Sequence, residues 1–381
     1  MKSPHFCYEP WVGIDIDNTG IIRPCCKFNN KIAENWDNLS INTSSIADYK
    51  ASKGLQTLKE QFLRGEKPIA CDRCWKDENT NYFSKRQLDS QRWKNEFVEQ
   101  NLNDSQTLLL TIPLSNICNL KCRICNPHNS SSWIKEFVDV YNNKVSSPNW
   151  ISNEDTWETL LNISENLIEL HLHGGEPFLY DNERHLEILS KIVRSKNSKK
   201  IRLHYSTNCT IFPDQKYWDI FDNLGWIDIQ PSIDDIGKRF EYNRKNAVWN
   251  EVEDNLFKYR DTIKNKDNIQ FSISTTVSVF TINYLDEFFD YLYKNNLPKP
   301  YFGRLVNPAY YRCSIFPESN RDKIFDKIKN SKHKDIQSIS QWVLLDDSKH
   351  LPEFRNRIEL HDNYRNESFA EVFPEINSLL F

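Results

Sequence analysis

Three cysteines stand at Cys118, Cys122 and Cys125, a Cys-x3-Cys-x2-Cys spacing. One loop of that length can wrap three thiolates around a single inorganic centre, and thiolates are the usual protein ligands of iron–sulfur clusters. Three ligands leave one iron of a four-iron cube free, and an exogenous chelate bearing an amino and a carboxylate group fits that vacancy. Zinc is the alternative. It prefers four ligands, commonly as paired Cys-x2-Cys elements, and this loop has no local fourth. Upstream, Cys7, Cys25, Cys71 and Cys74 offer four more thiols, a set that suits either a fully ligated iron–sulfur cube or a four-cysteine zinc ribbon. Cys26 is a spare beside Cys25 that could replace it. Seven of the ten cysteines fall in three tight groups. In a chain this long, such clustering speaks for metal sites in a reducing compartment and against a disulfide framework.

The elements that must position these groups follow from hydrophobic patterning. Val12 to Asp17 alternates apolar and polar, Asn18-Thr19-Gly20 is turn chemistry, and Ile21-Ile22 begins a return strand. This hairpin brings Cys7 and Cys25 to one open end. A helix is expected over 45–63, stopped by Arg64-Gly65. From Thr107 onward strands and helices alternate. Strands are expected at 108–114, 168–173, 201–207, 226–232, 269–278 and 301–306. Helices are expected at 131–141, 184–195, 216–223, 250–263 and 283–295. Six strands with helices between them imply a parallel sheet or a partial barrel, in which the cysteine loop follows a strand end, where ligands gather in such folds. Residues 143–165 read as a polar insert and 310–381 as helical segments and loops over one face. The resulting division is 1–100, 101–310 and 311–381.

Composition narrows the function. The 22 Phe, 16 Tyr and 11 Trp can supply a sizeable core. The net charge of −4 gives no basic field for general nucleic-acid or membrane-surface binding. No apolar run is long enough to span a bilayer, and Met1 to Trp11 lacks the apolar segment of a secretory signal. A cytoplasmic protein is expected.

The cysteine spacing resembles the signature of the radical S-adenosylmethionine (SAM) superfamily, and the likeness extends further. His173-Gly174-Gly175-Glu176-Pro177 ends the second expected strand and is similar to the family's GGEP segment, which binds the methionyl amino group of SAM. Ser206-Thr207-Asn208 resembles the family's Thr-Asn-Gly, with Cys209 where glycine is frequent. Ser232-Ile233-Asp234 resembles Ser-Leu-Asp. The resemblance implies SAM contacts from Gly174, Gly175, Glu176, Ser206, Asn208, Ser232 and Asp234, a carboxylate partner in Arg244, and an adenine contact in Ile124. Cys7-x12-Gly20-x4-Cys25 followed by Cys71-x2-Cys74 is similar to the SPASM and twitch extensions of this superfamily, here preceding the barrel. Pro10-Trp11, Pro24-Cys25-Cys26 and Arg64-Gly65-Glu66 read as companions of that element.

This likeness implies a partial (β/α)6 TIM-like barrel with an N-terminal twitch-like auxiliary domain. It implies two 4Fe-4S clusters, one binding SAM through Cys118, Cys122 and Cys125 and one auxiliary at Cys7, Cys25, Cys71 and Cys74. Reductive cleavage of SAM to a 5′-deoxyadenosyl radical, followed by hydrogen abstraction from a peptide or protein, is the implied activity. An electron donor such as a flavodoxin or ferredoxin is the implied partner. A sugar, nucleotide or amino-acid derivative is the alternative substrate, and a non-enzymatic zinc or iron–sulfur module the alternative of another class. The reaction outcome, and whether Cys26, Cys209 or Cys313 takes part in hydrogen transfer, stay open at this level.

Overall fold

The computed structural model of the chain describes residues 3–80, 82–96, 107–145, 150–179 and 183–381. Among them the strands are β1 (Gly13–Ile16), β2 (Ile22–Arg23), β3 (Leu109–Pro113), β4 (Lys121–Cys122), β5 (Glu169–His173) and β6 (Arg202–Thr207). Next come β7 (Trp226–Pro231), β8 (Arg244–Lys245), β9 (Ile269–Phe271), β10 (Ile273–Val277) and β11 (Pro300–Arg304). β3, β5, β6, β7 and β9 lie side by side, all parallel, with Leu110 opposite Leu170 and Leu203 opposite Ile227. β10 pairs in parallel with β11, and a Ser232–Ser274 bridge ties β10 to the end of β7. This is an α/β fold of the partial TIM-barrel kind.

Helices Trp133–Tyr141, Glu183–Arg194, Gln215–Phe221, Trp249–Ile263 and Leu285–Lys294 follow the strands in turn. Each carries an apolar stripe at helical spacing. In Trp249–Ile263 it is Val252, Leu256, Tyr259 and Ile263, all buried. Each fully buried aliphatic side chain contributes about 1.5–3 kcal/mol, so these stripes hold the helices on the sheet. Along β5 to β7 the opposite face is polar: His171, His204 and Asp228 are half-buried between fully buried Leu170, Leu203 and Ile227.

Several elements differ from expectation for local reasons. The strand expected over 269–278 splits at Ser272, whose hydroxyl donates to Asp228 at 2.7 Å. The helix expected over 45–63 is two helices, Ile46–Ala51 and Lys53–Leu63, because Ser52 adopts extended backbone and caps the second through Leu55 N–H. The polar insert carries a helix, Glu154–Ser164, that starts on an Asn153 cap and buries Trp157 and Leu160; residues 146–149 of the insert lie outside the described residues. β1 does not alternate. All four of its residues are buried, because β2 flanks it on one side and β3 on the other, with Ile14 opposite Leu110 in parallel.

The N-terminal hairpin therefore extends the barrel sheet past β3. The same region also reaches the last strand: Tyr82 Oη donates to Phe302 O at 2.6 Å, and Arg304 pairs with Asp77 at 3.2 Å. The first hundred residues thus touch both outer strands of the open barrel, and their apolar side chains, Phe6, Ile14 and Phe62 among them, join the core that holds Leu110, Leu172 and Ile229. A second core, around Phe280, Trp342, Phe354 and Phe373, packs the C-terminal helices against β10 and β11.

Candidate cluster and cofactor site

The cysteine loop leaves the C-terminal end of β3. Leu120 is fully buried beneath it, and the short antiparallel pair of β4 and β8 sets Cys122 opposite Arg244. The segment leading into helix Trp133–Tyr141 fixes the cysteine backbones. Ser131 Oγ accepts from Cys118 N–H at 3.2 Å, Ser132 Oγ donates to Cys118 O at 2.7 Å, and Trp133 Nε1 donates to Cys122 O at 2.8 Å. Three donors reach the sulfurs: Leu120 N–H (3.4 Å) and Asn208 Nδ2 (3.7 Å) at Cys118, and Arg244 Nη1 (3.8 Å) at Cys122. Donors aimed at sulfur stabilise the thiolate form that ligates metal.

Burial acts the other way. It pushes Cys122 up to about 11 and Cys125 to about 12, while Arg244 pulls both down. Such thiols give up their protons to a metal centre that supplies positive charge. This donor set fits an iron–sulfur cluster with one side open. A cavity of about 540 Å³ borders Cys125 and is lined also by Asp17, Arg23, His173, Gly174 and Gly175. A larger cavity, about 610 Å³, lies at the N-terminal ends of the strands around Glu169, Arg202 and Asp228, away from the cysteines.

Gly174 and Gly175 both have left-handed backbone, with φ of 82° and 52°. A Cβ on Gly174 would lie 2.2 Å from Pro113 Cβ, and one on Gly175 would lie 2.0 Å from Ile117 O. The close approach that glycine permits here is to the chain's own 113–117 segment, which carries the cysteine loop. Glu176 continues the same stitching. Its N–H donates to Ile117 O at 2.8 Å, and its carboxylate accepts from Thr207 Oγ1 at 2.7 Å and Asn208 N–H at 2.6 Å. Burial raises this carboxyl to about 7 against those donors.

The remaining expected residues divide. Asn208 is at the site, touching both Cys118 Sγ and Asn119 Oδ1. Arg244 is there too, but its fork is engaged: Nε and Nη2 meet Asp234 Oδ2 at 3.0 and 2.7 Å, and Asp234 Oδ1 accepts Thr276 N–H at 2.8 Å. Ser206 and Ser232 are half-buried at the ends of β6 and β7. Ile124 packs against the C-terminal core. Cys209 has left-handed backbone, φ 65°, and is fully buried; Cys313 is buried in the C-terminal core. Sequence reasoning missed Asn119, which binds Thr210 and Asn208, and the hairpin residues Asp17 and Arg23. Asn119 lay inside the motif itself. The hairpin residues carried no signal, since only the β1–β3 pairing brings them to the cavity.

The N-terminal cysteines also converge. Cys7 and Cys74 are buried, Cys25 and Cys71 half-buried, and Cys26 exposed. Burial raises Cys7 most, and the nearby Cys71 and Cys74 raise it further; Cys74 likewise acts on Cys25. Glu9, Lys85 and Asp89 crowd the same place. Burial raises Glu9 to about 8, partly offset by Lys85. Among the described residues no group of three or more His, Cys, Asp or Glu side chains closes tightly enough for a single metal ion. No helix among them is long and apolar enough to cross a membrane.

Residues 112–292 match the profile described as Radical SAM superfamily. No curated protein sequence matches the chain. Solved structures that match the chain include native anSMEcpe with bound AdoMet and Cp18Cys peptide, at 18% identity and a TM-score of 0.42, over 58% of this chain and 59% of that one. Streptococcus suis SuiB bound to S-adenosylmethionine is another, at 14% identity and a TM-score of 0.36, over 81% of this chain and 64% of that one. The chain thus spans under two thirds of the length of these structures. The profile match falls on β3 through helix Leu285–Lys294, the stretch that carries the cysteine loop, the Gly-Gly-Glu segment and Arg244, and over this stretch the chain carries a radical SAM domain, that of a superfamily of enzymes which use a 4Fe-4S cluster and SAM.

Proposed function

We propose that Cys118, Cys122 and Cys125 hold the SAM-binding 4Fe-4S cluster, and that Cys7, Cys25, Cys71 and Cys74 hold an auxiliary cluster in a twitch-like N-terminal unit. The observation that supports this reading most is the loop of Cys118, Cys122 and Cys125 at the C-terminal end of β3, with Leu120 N–H, Asn208 and Arg244 aimed at its sulfurs. When bound, the first cluster supplies the electron that cleaves SAM to methionine and a 5′-deoxyadenosyl radical, which abstracts a substrate hydrogen. The chain's own residues do the rest. Asn208, Leu120 N–H and Arg244 stabilise the thiolates, Gly174 to Glu176 fix the loop beside the SAM cavity, and the barrel excludes water from the radical.

The substrate we propose is a peptide or protein. The twitch-like arrangement of Cys7, Gly20, Cys25, Cys71 and Cys74 supports this reading, since extensions of that kind recur among peptide-modifying relatives. A small polar metabolite is the second reading. An electron donor such as a flavodoxin or ferredoxin serves either.

The test is anaerobic reconstitution with iron and sulfide counts, a 5′-deoxyadenosine assay, and mass spectrometry of short peptides encoded beside the gene. A mass change on such a peptide supports the first substrate reading. Turnover confined to a metabolite extract supports the second. Tightly held zinc with no SAM cleavage would sink the enzyme mechanism at these cysteines.

A further inference from the structure

Arg123 sits between two of the three cysteines and is buried. Its guanidinium lies 3.7 Å from the centre of the Tyr242 ring, and its Nη2 meets two carboxylates from the far end of the chain, Asp362 at 2.5 Å and Glu367 at 2.6 Å. Tyr242 Oη donates to Asp362 at 2.7 Å, and Lys245 Nζ reaches Glu367 at 2.9 Å. A second layer lies beside it. Glu136 binds Lys121 (2.8 Å), Arg365 (2.8 Å) and His361 (2.7 Å), and Arg365 Nη2 donates to Lys121 O at 3.0 Å. Helix Leu351–Arg365 and the turn after it therefore clamp the cysteine loop with charge on both sides of Cys122.

A plain anchor needs no such arrangement. Burying ion pairs of this kind costs about as much as it returns, and apolar packing would hold the loop as well. Charge in a water-poor interior, however, acts strongly on other charge nearby, and an iron–sulfur cluster gains a negative charge on reduction. Hydrogen bonding, net charge and burial set its potential.

We propose that Asp362 and Glu367 are positioning residues that hold down the reduction potential of the SAM-binding cluster by balancing Arg123. This rests on the assignment of that cluster to Cys118, Cys122 and Cys125. Removing either carboxylate leaves Arg123 less compensated, favours the reduced cluster and raises its potential. Removing the Arg123 charge lowers it.

The test uses the full chain, reconstituted anaerobically, with Asp362→Asn, Glu367→Gln, Arg123→Gln and the pair Asp362→Asn with Arg123→Gln. Electron paramagnetic resonance under redox titration reads the midpoint of the signal that changes when SAM is added. Asp362→Asn and Glu367→Gln should shift it upward, with a several-fold larger reduced fraction at a fixed potential. Arg123→Gln should shift it downward, and the pair should return toward wild type. Unmoved midpoints at full iron content overturn the proposal, as does a shift of every variant in one direction with iron loss, which marks a mere anchor. Should the Arg123 variants fail to fold, Lys245→Gln, on a side chain 32% exposed, must lower the midpoint for the proposal to stand. A wild-type protein with no SAM-sensitive iron signal would sink the cluster assignment itself, a separate result.

Discussion

The two cysteine sites differ in number, in surroundings and in access. The loop site has three thiols, donors aimed at its sulfurs, and a cavity at Cys125. The proposed N-terminal site has four thiols, two of them buried, with Cys26 beside Cys25 and with Glu9, Lys85 and Asp89 crowding them. Three ligands leave an iron to bind a cofactor; four leave none. The first arrangement suits chemistry at the metal and the second suits passing or storing an electron.

The largest effect expected is at the loop. Replacing Cys118, Cys122 and Cys125 together with Ala should abolish 5′-deoxyadenosine formation and halve an iron content of about eight per chain, two cubes of four. Full SAM cleavage in that variant would erase the distinction between the sites. Replacing Cys7, Cys25, Cys71 and Cys74 should also halve the iron, but the SAM-sensitive resonance should persist while product formation stops. A substrate-induced change in the auxiliary signal, traced to direct ligation, would show that this site too opens an iron.

Next is the support of the loop. Gly175→Val puts side-chain atoms onto Ile117 O and forces a β-branched residue into left-handed backbone. A loss of about 3 kcal/mol or more in unfolding free energy, with loss of SAM binding in calorimetry, is expected. Arg244→Ala strands Asp234 as a buried, unpaired carboxylate, at a cost of about 3–5 kcal/mol. Arg244→Lys keeps the charge but loses the two-pronged contact, so its thermal unfolding should fall between the two. If Arg244→Ala weakens SAM binding with no loss of stability, the arginine serves the cofactor more than the loop.

The smallest effect expected is at Cys209. Cys209→Gly relieves the left-handed backbone but vacates a filled site, so the net change should stay within about 1 kcal/mol. Unchanged SAM cleavage would confirm that this thiol is packing.

Much of this was legible because chemistry and local pattern coincide. The cysteine spacing, the Gly-Gly-Glu string and the strand order each depend on neighbours in sequence. What stayed hidden depends on distant partners. Arg244 read as a free cation for a carboxylate, and only the fold shows Asp234 already in its fork. Gly175 read as room for a ligand, whereas the room is taken by Ile117. The hairpin read as a half-exposed ribbon because nothing in Val12 to Asp17 announces a parallel partner ninety-odd residues on, at Leu110. Ser52 broke a helix that its flanking periodicity favoured, since capping outweighs pattern at a single residue.

The bridging of both barrel edges by the N-terminal region sets the order of events during synthesis. Phe302 and Arg304 receive Tyr82 and Asp77, so on the ribosome β1 can meet β3 early, whereas Asp77 and Tyr82 wait for most of the chain before their partners exist. Contacts of such long sequence separation form late and slowly. Meanwhile Cys7, Cys25, Cys71 and Cys74 emerge on an unfinished scaffold, open to oxygen and to stray metal. A chain cut short before β11 would lose the partners of Asp77 and Tyr82, residues it made early.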